Sequence, residues 1–380
     1  MIAEAAVPAE VLAAVRAPFA GLKAVAIDPP VIQPLSLLLD LAGEAMRARL
    51  YIVQGEGDAE ACLRPDFTIP VVRAHIAAGE TPCRYTYEGK AFRAAPAGSD
   101  RAREFLQIGL EAYGEGRDPG VDGEIAALAW RAAAAGGRSD LSLTMGDVAL
   151  FSTFIEALGL AAPLAARLKR AFSRPRALQL ELSRGQEPPR PPRQGDRVSS
   201  LLAGLPEADA AAVLEDLWAV AGIAPVGGRS AAEIVHRLVQ RAEAAQAPRL
   251  TDAEAGLVRE FLEISDRPQA ALARVAALAK RGKVDLDAAL EGWAKRLSIV
   301  MAAGVDEAHM TLSTGFGRAF GYYDGFLFEI HSKALGDWAS VAGGGRYDGL
   351  PAQLGGKGEG GAVGCMVRPA RAWAGSEAGQ

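Results

Sequence analysis

Residues 92–114 read FRAAPAGSDRAREFLQIGLEAYG, and this stretch describes two strands joined by a polar loop. The first strand ends at Phe92 and Arg93. Pro96, Gly98, Ser99 and Asp100 supply the loop with turn-forming residues. The second strand spans 104–113 and alternates. Leu106, Ile108 and Leu110 point one way; Phe105, Gln107, Gly109, Glu111 and Tyr113 point the other. A half-buried strand keeps its polar face in water. Here that face mixes aromatics, a glycine, an amide and a carboxylate, which suits the floor of a small-molecule site. Gly109 leaves room, and Gln107 and Glu111 offer hydrogen bonds and charge. The plain alternative is an amphipathic hairpin with one solvated face.

Elsewhere strand character is predicted at 24–28, 50–54, 61–64, 84–93 and 141–145. It returns at 310–314, 322–332 and 337–342. After Pro65-Asp66 a helix is expected through Val71, Val72, His75 and Ile76, ending at Gly79, with Pro70 in its first turn. Residues 124–135 form another helical run, closed by Gly136-Gly137. The last stretch, GAVGCMVRPARAWAG, packs small residues and then turns into a short helix.

Between 149 and 303 alternation largely disappears. Ser230 with Glu233 and Thr251 with Glu254 have capping-box spacing. Leu286, Leu290, Trp293, Leu297 and Val300 form an apolar stripe at helical spacing, read as core. His236, beside Ile234 and Val235, reads as structural. The proline-rich segment 183–195 reads as an exposed loop rather than a polyproline ligand. The organisation expected is α+β: a core of 1–165 and 300–380, interrupted by a mainly helical insertion at 166–299.

Composition narrows the function classes. The chain has 380 residues, half of them hydrophobic and 23% charged, with a net charge of −5. That supports a sizeable core and makes no strong electrostatic bid for nucleic acid. Three scattered cysteines fit reduced thiols, hence a cytoplasmic protein. Four histidines show no metal-ligand spacing, so no metal is expected. No cofactor motif is present either: GGGRYDGL at 343–350 lacks the lysine of a phosphate loop, and its glycines instead permit close backbone approach. No signal peptide and no run of roughly 20 apolar residues is found, so no membrane association is expected.

Charged and aromatic residues fall in two clusters far apart in sequence. One holds Asp66, Thr68, Arg93, Gln107 and Glu111; the other holds Arg318, Tyr322, Tyr323 and Arg346. A single sheet could join them. Together they suit a ligand carrying both charges and an aromatic side chain, since carboxylates hold ammonium groups and arginines hold carboxylates. No nucleophile–base arrangement is visible. The competing reading is a structural ion-pair network.

These residues carry a resemblance. LRPDFTIPVVR at 63–73, the hairpin 92–114, FGRAFGYYDGFLFE at 316–329 and GGGRYDGL together resemble the histidyl-tRNA synthetase catalytic core, a class II aminoacyl-tRNA synthetase fold. More narrowly, they resemble the synthetase-like regulatory subunits of ATP phosphoribosyltransferase. The likeness covers residues 8–150 and 305–375. It implies a mostly antiparallel sheet flanked by helices, and a histidine ligand. Glu111 and Gln107 would contact that histidine, Glu111 at its α-amino group, with Asp66 and Thr68 at the same end and Tyr322 and Tyr323 bordering the imidazole. Arg93 matches the arginine that in synthetases holds the ATP α-phosphate and the amino-acid carboxylate; Arg318 matches their catalytic arginine.

Departures favour a regulator over an enzyme. Ala94-Ala95 replaces an aromatic–acidic pair, Arg318-Ala-Phe-Gly-Tyr-Tyr has lost part of its motif, and Arg368-Pro-Ala-Arg371 stands where GLER is expected. The chain ends nine residues after Arg371, which leaves no anticodon-binding domain and predicts no tRNA partner. The resemblance thus implies a non-catalytic subunit with no catalytic residues. It would be required by a short-form ATP phosphoribosyltransferase, would confer histidine sensitivity, and would self-associate as a dimer or higher. The alternatives are a synthetase-like enzyme that activates histidine and a free-standing histidine sensor.

Overall fold

The computed structural model describes residues 4–54, 60–96, 98–99, 101–183, 209–210, 212–213, 215–216, 248–317, 321–336 and 339–375. The expected capping box at Ser230 and Glu233, His236, nearly all of the proline-rich segment, and Arg318 lie outside the described residues. Contacts divide the chain into two units: Met1–Leu158 with Arg259–Gln380, and Gly159–Val258. The stretch 259–299 therefore groups with the first unit.

The first unit holds a nine-stranded and a three-stranded sheet. In chain order the strands are β1 (Ala24–Ala26), β2 (Ile32–Pro34), β3 (Ile52–Gln54), β4 (Glu60–Leu63), β5 (Cys83–Phe92), β6 (Glu104–Tyr113), β7 (Leu141–Asp147), β8 (Ser265–Asp266), β9 (Met310–Ser313), β10 (Phe326–Ser332), β11 (Ser340–Arg346) and β12 (Ala362–Val367). The large sheet runs β1-β5-β6-β12-β11-β10-β7-β9-β8; the small one runs β2-β4-β3. The expected hairpin is its ten-residue pair β5–β6, in register from Cys83 opposite Tyr113 to Phe92 opposite Glu104.

Three expectations need correction. The large sheet, expected mostly antiparallel, is mixed: β1 runs parallel to β5 and β7 parallel to β9, beside six antiparallel neighbour pairs. Long connections permit either direction, and side-chain alternation carries no information about strand direction. The strand expected to end at 342 runs on through the triple glycine: Gly343, Gly344 and Gly345 lie inside β11. A Cβ on Gly344 would sit 2.2 Å from the Gly364 carbonyl oxygen, so β11 and β12 pair at a distance only glycine allows. The plain alternative of a solvated face on β6 does not hold: from Gln107 onward every residue is buried, because both sheet faces are covered.

The helix Pro119–Ala134 packs on β11 and β12, and the helix Asp287–Ala302 packs on it in turn. Gly123 permits that approach, since a Cβ there would meet the Arg296 carbonyl at 3.0 Å. The apolar stripe is core as read: Trp293, Leu297 and Val300 are buried. On the opposite side, Phe67, Ile69, Val71 and Val72 at the start of the helix Thr68–Ala77 join Tyr85, Tyr87, Tyr113, Tyr322 and Tyr347 in one apolar cluster. That helix carries Pro70 in its first turn, where no N–H is needed, and its chain turns away at Gly79 with φ +88°.

In the second unit the helices Ala162–Ala171 and Pro175–Ser183 bury Leu164, Leu168, Leu178 and Leu182, and Arg167 pairs with Glu181 at 3.2 Å. The capping box at Thr251 forms as its spacing predicts. The Glu254 N–H donates to Thr251 Oγ1 at 3.2 Å and the Thr251 N–H donates to Glu254 Oε2 at 2.7 Å.

Candidate functional site

A narrow cavity of about 20 Å³ opens on the β5–β6–β12–β11 part of the sheet. It is lined by Asp66, Thr68, Arg93, Gln107, Glu111, Tyr322 and Tyr323, that is, by every residue of the two sequence clusters except Arg346 and Arg318, the latter outside the described residues. That is room for about one water molecule, so a ligand the size of an amino acid requires the walls to move apart.

Glu111 is the centre. It stands on β6 between Tyr85 on one side and Gly364 on the other. A Cβ on Gly364 would fall 1.6 Å from Glu111 Oε2, so this glycine is the space the carboxylate occupies. Three hydroxyls converge on the carboxylate. Thr68 donates to Oε1 at 2.9 Å, Tyr87 to Oε1 at 3.4 Å, and Tyr347 to Oε2. Burial pushes Glu111 up to about 8; the hydroxyl donors pull the other way, and the charge of Asp66 adds to the rise. Burial also holds Tyr87, Tyr113 and Tyr347 well above the usual phenol range, so these hydroxyls stay protonated donors.

Gln107 lies two pleat repeats along the same face. It is fully buried, yet neither its amide nitrogen nor its amide oxygen has a hydrogen-bond partner. Leaving such a group unpaired costs about 1–3 kcal/mol. Facing the cavity, this amide offers a polar ligand one donor group and one acceptor. Gly109, between Gln107 and Glu111, is overlaid by Tyr87, whose ring would be 2.3 Å from a Cβ there. The predicted room at Gly109 is thus filled by the protein's own tyrosine, which stacks on Phe67 with centroids 4.3 Å apart.

At the other end Tyr322 donates to Asp66 Oδ2 at 3.4 Å. Tyr322, Tyr323 and Tyr347 form an aromatic wall with ring centroids 4.7 to 6.3 Å apart. Arg93 is oriented by donation from Nε to the Pro65 carbonyl at 2.9 Å. The cavity therefore presents two carboxylates, one guanidinium, an open amide and a tyrosine wall. This set of groups matches the chemistry of a small zwitterion with a flat polar side chain. Burial drives the Cys365 thiol strongly up, so this lining residue is no nucleophile.

Arg346, grouped with the ligand cluster from sequence, is elsewhere. Its guanidinium meets Asp122 at 2.7 Å and Asp348 at 3.0 Å, and donates to the Gly116 carbonyl. Arg296 bridges Asp122 at 2.8 Å and Asp147 at 3.4 Å in the same buried network. Sequence reasoning also passed over Tyr87, Tyr347, Gly364 and Met366 as lining residues. Tyr87 was findable: it shares the β5 alternation with Tyr85 and faces Gly109. Gly364 carries no such signal, because only the pairing of β12 with β6 sets it beside Glu111.

The histidyl-tRNA synthetase family model matches residues 24–224 and 211–370. ATP phosphoribosyltransferase regulatory subunits from Brucella anthropi and Brucella canis are each 34% identical over 331 residues, covering 87% of this chain and 87% of theirs. Among solved structures, the ATP phosphoribosyltransferase regulatory subunit/histidyl-tRNA synthetase from Bacillus halodurans C superposes with a TM-score of 0.63 at 17% identity, covering 96% of this chain and 78% of that one. Histidyl-tRNA synthetase from Nostoc sp. PCC 7120 superposes with a TM-score of 0.58 at 15% identity, covering 97% and 72%. The fold is that of the class II synthetase core. The chain belongs to the histidyl-tRNA synthetase-like family of ATP phosphoribosyltransferase regulatory subunits.

Proposed function

We propose that this chain is the non-catalytic, histidine-sensing subunit of an ATP phosphoribosyltransferase. A short catalytic subunit requires it to condense ATP with phosphoribosyl pyrophosphate, the first step of histidine biosynthesis. The observation that carries the ligand reading is the fully buried Gln107 amide, unpaired and facing the cavity beside Glu111. In this reading Glu111 holds the histidine α-ammonium, with Asp66 and Thr68 at the same end. Gln107 completes the polar contacts, Arg93 faces the carboxylate, and Tyr322 and Tyr323 border the imidazole. Arg318 is proposed for the same ligand on resemblance alone. Regulation is linkage: histidine binds one state of the complex better than the other and shifts the balance by that difference.

The partner follows from the names of the relatives. Self-association, a cytoplasmic location, the absence of a tRNA partner and a helical insertion at 166–299 are part of the same proposal. Among the described residues no helix is long and apolar enough to cross a membrane.

Calorimetric titration of the chain with histidine tests the ligand, and three-component assays test the role. Histidine is expected to bind the isolated chain. Adding the chain is expected to switch on a short phosphoribosyltransferase, and added histidine to repress it. Steady histidine-dependent ATP–pyrophosphate exchange by the isolated chain would instead mark an active synthetase-like enzyme and end the regulatory reading.

A further inference from the structure

Behind Glu111 stands a layer of rings that does not line the cavity. Tyr113 lies one pleat repeat beyond Glu111 on β6, on the same face, and is buried. Its hydroxyl is 3.3 Å from that of Tyr347, which itself donates to Glu111 Oε2. A phenol carries one proton. With Glu111 ionised, the Tyr347 proton is committed to the carboxylate, so the proton of Tyr113 fills the contact between the two hydroxyls. The three groups form one directed chain, from Tyr113 to Tyr347 to Glu111. Donation into Tyr347 polarises its own O–H and strengthens its bond to the carboxylate.

The Tyr113 ring is clamped. His75 stacks on it with centroids 4.1 Å apart and planes 13° from parallel, and Tyr85 meets the two rings edge-on at 5.9 and 5.8 Å. The Tyr85 hydroxyl lies 3.5 Å from His75 Nδ1. His75 is buried two helical turns beyond Thr68 on the helix Thr68–Ala77, hence on the same helix face. That face reaches Glu111 twice: directly through the Thr68 hydroxyl at 2.9 Å, and indirectly through the imidazole that sets Tyr113. Burial holds His75 below its ordinary range and Tyr113 well above the phenol range. At neutral pH two uncharged rings therefore stack, and Tyr113 keeps the proton it donates.

We propose that Tyr113 and His75 are positioning residues for the Glu111 carboxylate: Tyr113 supports its ionised form through Tyr347, and the His75 ring fixes the direction from which Tyr113 donates. The effect on Glu111 stands by itself. Its bearing on histidine rests on the reading above, in which ionised Glu111 holds the α-ammonium.

Tyr113→Phe removes the hydroxyl and keeps the ring. Loss of that support is expected to raise the Glu111 titration by about 0.5 pH unit. Below its titration, affinity follows the ionised fraction of Glu111. Calorimetric titration with histidine is thus expected to show binding weakened about threefold near pH 7, the deficit closing as pH passes about 9. A loss equal at every pH marks a merely structural role and overturns the relay, as does no loss. His75→Ala is expected to reproduce the pH-dependent deficit and His75→Phe, which keeps the stack, to remove it. A His75→Phe chain no better than His75→Ala overturns the role of the stack.

Asp66, Tyr87, Tyr347 and Cys365 also face Glu111, and the charge of Glu80 acts on His75. Their titrations cancel when the share of Glu111 is taken as the stability difference between each chain and its Glu111→Gln counterpart across pH. If the unsubstituted chain binds no histidine, the ligand reading fails and this difference alone judges the relay. Glu111 titrates higher folded than unfolded, so its share of stability falls with rising pH until the folded carboxyl is ionised. With Tyr113→Phe that fall is expected to end about 0.5 pH unit higher. An unmoved end overturns the proposal.

Discussion

Two buried polar constellations lie within the large-sheet unit, and they resolve in opposite ways. Around Asp122 the charges close on themselves. Arg346 and Arg296 share that aspartate and reach Asp348 and Asp147, and all of these except the partly buried Arg296 are under 9% exposed. Around Glu111 the partners are hydroxyls, the neighbouring Gln107 amide is open, and a narrow cavity lies beside them. Both clusters contain carboxylates, arginine and large aromatics. The difference is stoichiometric: where every charge meets its opposite the cluster is structural, and where donors and acceptors outnumber their partners around a cavity the cluster is built for something else.

The largest effect expected separates the two directly. Arg346→Met takes the buried guanidinium shared by Asp122 and Asp348, leaving them to Arg296 and the exposed Arg117, and lowers stability by roughly 3–5 kcal/mol, measured by urea denaturation. If that variant keeps its stability but loses histidine binding, Arg346 belongs to the ligand site after all. Next, Glu111→Gln is expected to weaken histidine binding by about 100-fold, as removal of a buried ion-pair partner does. It is also expected to change how stability depends on pH. Folding lifts this carboxyl from its ordinary 4.5 to about 8. Between those values the folded chain binds more protons than the unfolded chain, so Glu111 makes stability fall as pH rises across that window. The amide removes this slope; an unchanged slope would show that Glu111 does not titrate high.

Gly364→Ala places a methyl group on the carboxylate oxygen. It is expected to cost about 1–3 kcal/mol of stability and to weaken histidine binding in proportion to the displacement of Glu111. Wild-type affinity and stability here would contradict the tight β12–β6 approach. A smaller effect is the pH dependence of binding itself. An ammonium favours ionised Glu111, so binding below pH 8 releases a proton. Affinity then rises with pH, by up to about tenfold per unit, until the carboxyl is ionised. Titrations in buffers of different ionisation enthalpy would count that proton. Finally, Gln107→Leu removes an unpaired buried amide. It is expected to leave stability equal or slightly higher while weakening histidine binding about fivefold to tenfold. A clear loss of stability would mean that the amide already has a structural partner.

Much of the site was legible because its residues sit at intervals that a strand turns into one face. Gln107 and Glu111 share a pleat, and Thr68 follows a proline–aspartate break that opens a helix. Legibility failed where the side-chain period says nothing about the neighbouring strand. Arg346 shares a motif with Tyr347, yet Tyr347 donates to Glu111 while Arg346 joins Asp122. Neither residue announces this in sequence. The strand β12 was hidden because AVGCMV is short, small and unalternating, as a strand buried on both faces is.

From sequence alone came the hairpin and its register-bearing face, the capping box at Thr251, the core stripe of the helix Asp287–Ala302, and the residue types of a zwitterion site. These are local properties: periodicity, turn chemistry and capping depend on residues a few positions apart. The tertiary structure alone decided that the sheet is mixed, that two glycine-bearing strands approach closely enough to seat Glu111, and which arginine is spent on a structural pair. Each of those depends on what stands opposite across a strand pair or a helix crossing, and such partners are tens to hundreds of residues away in the chain.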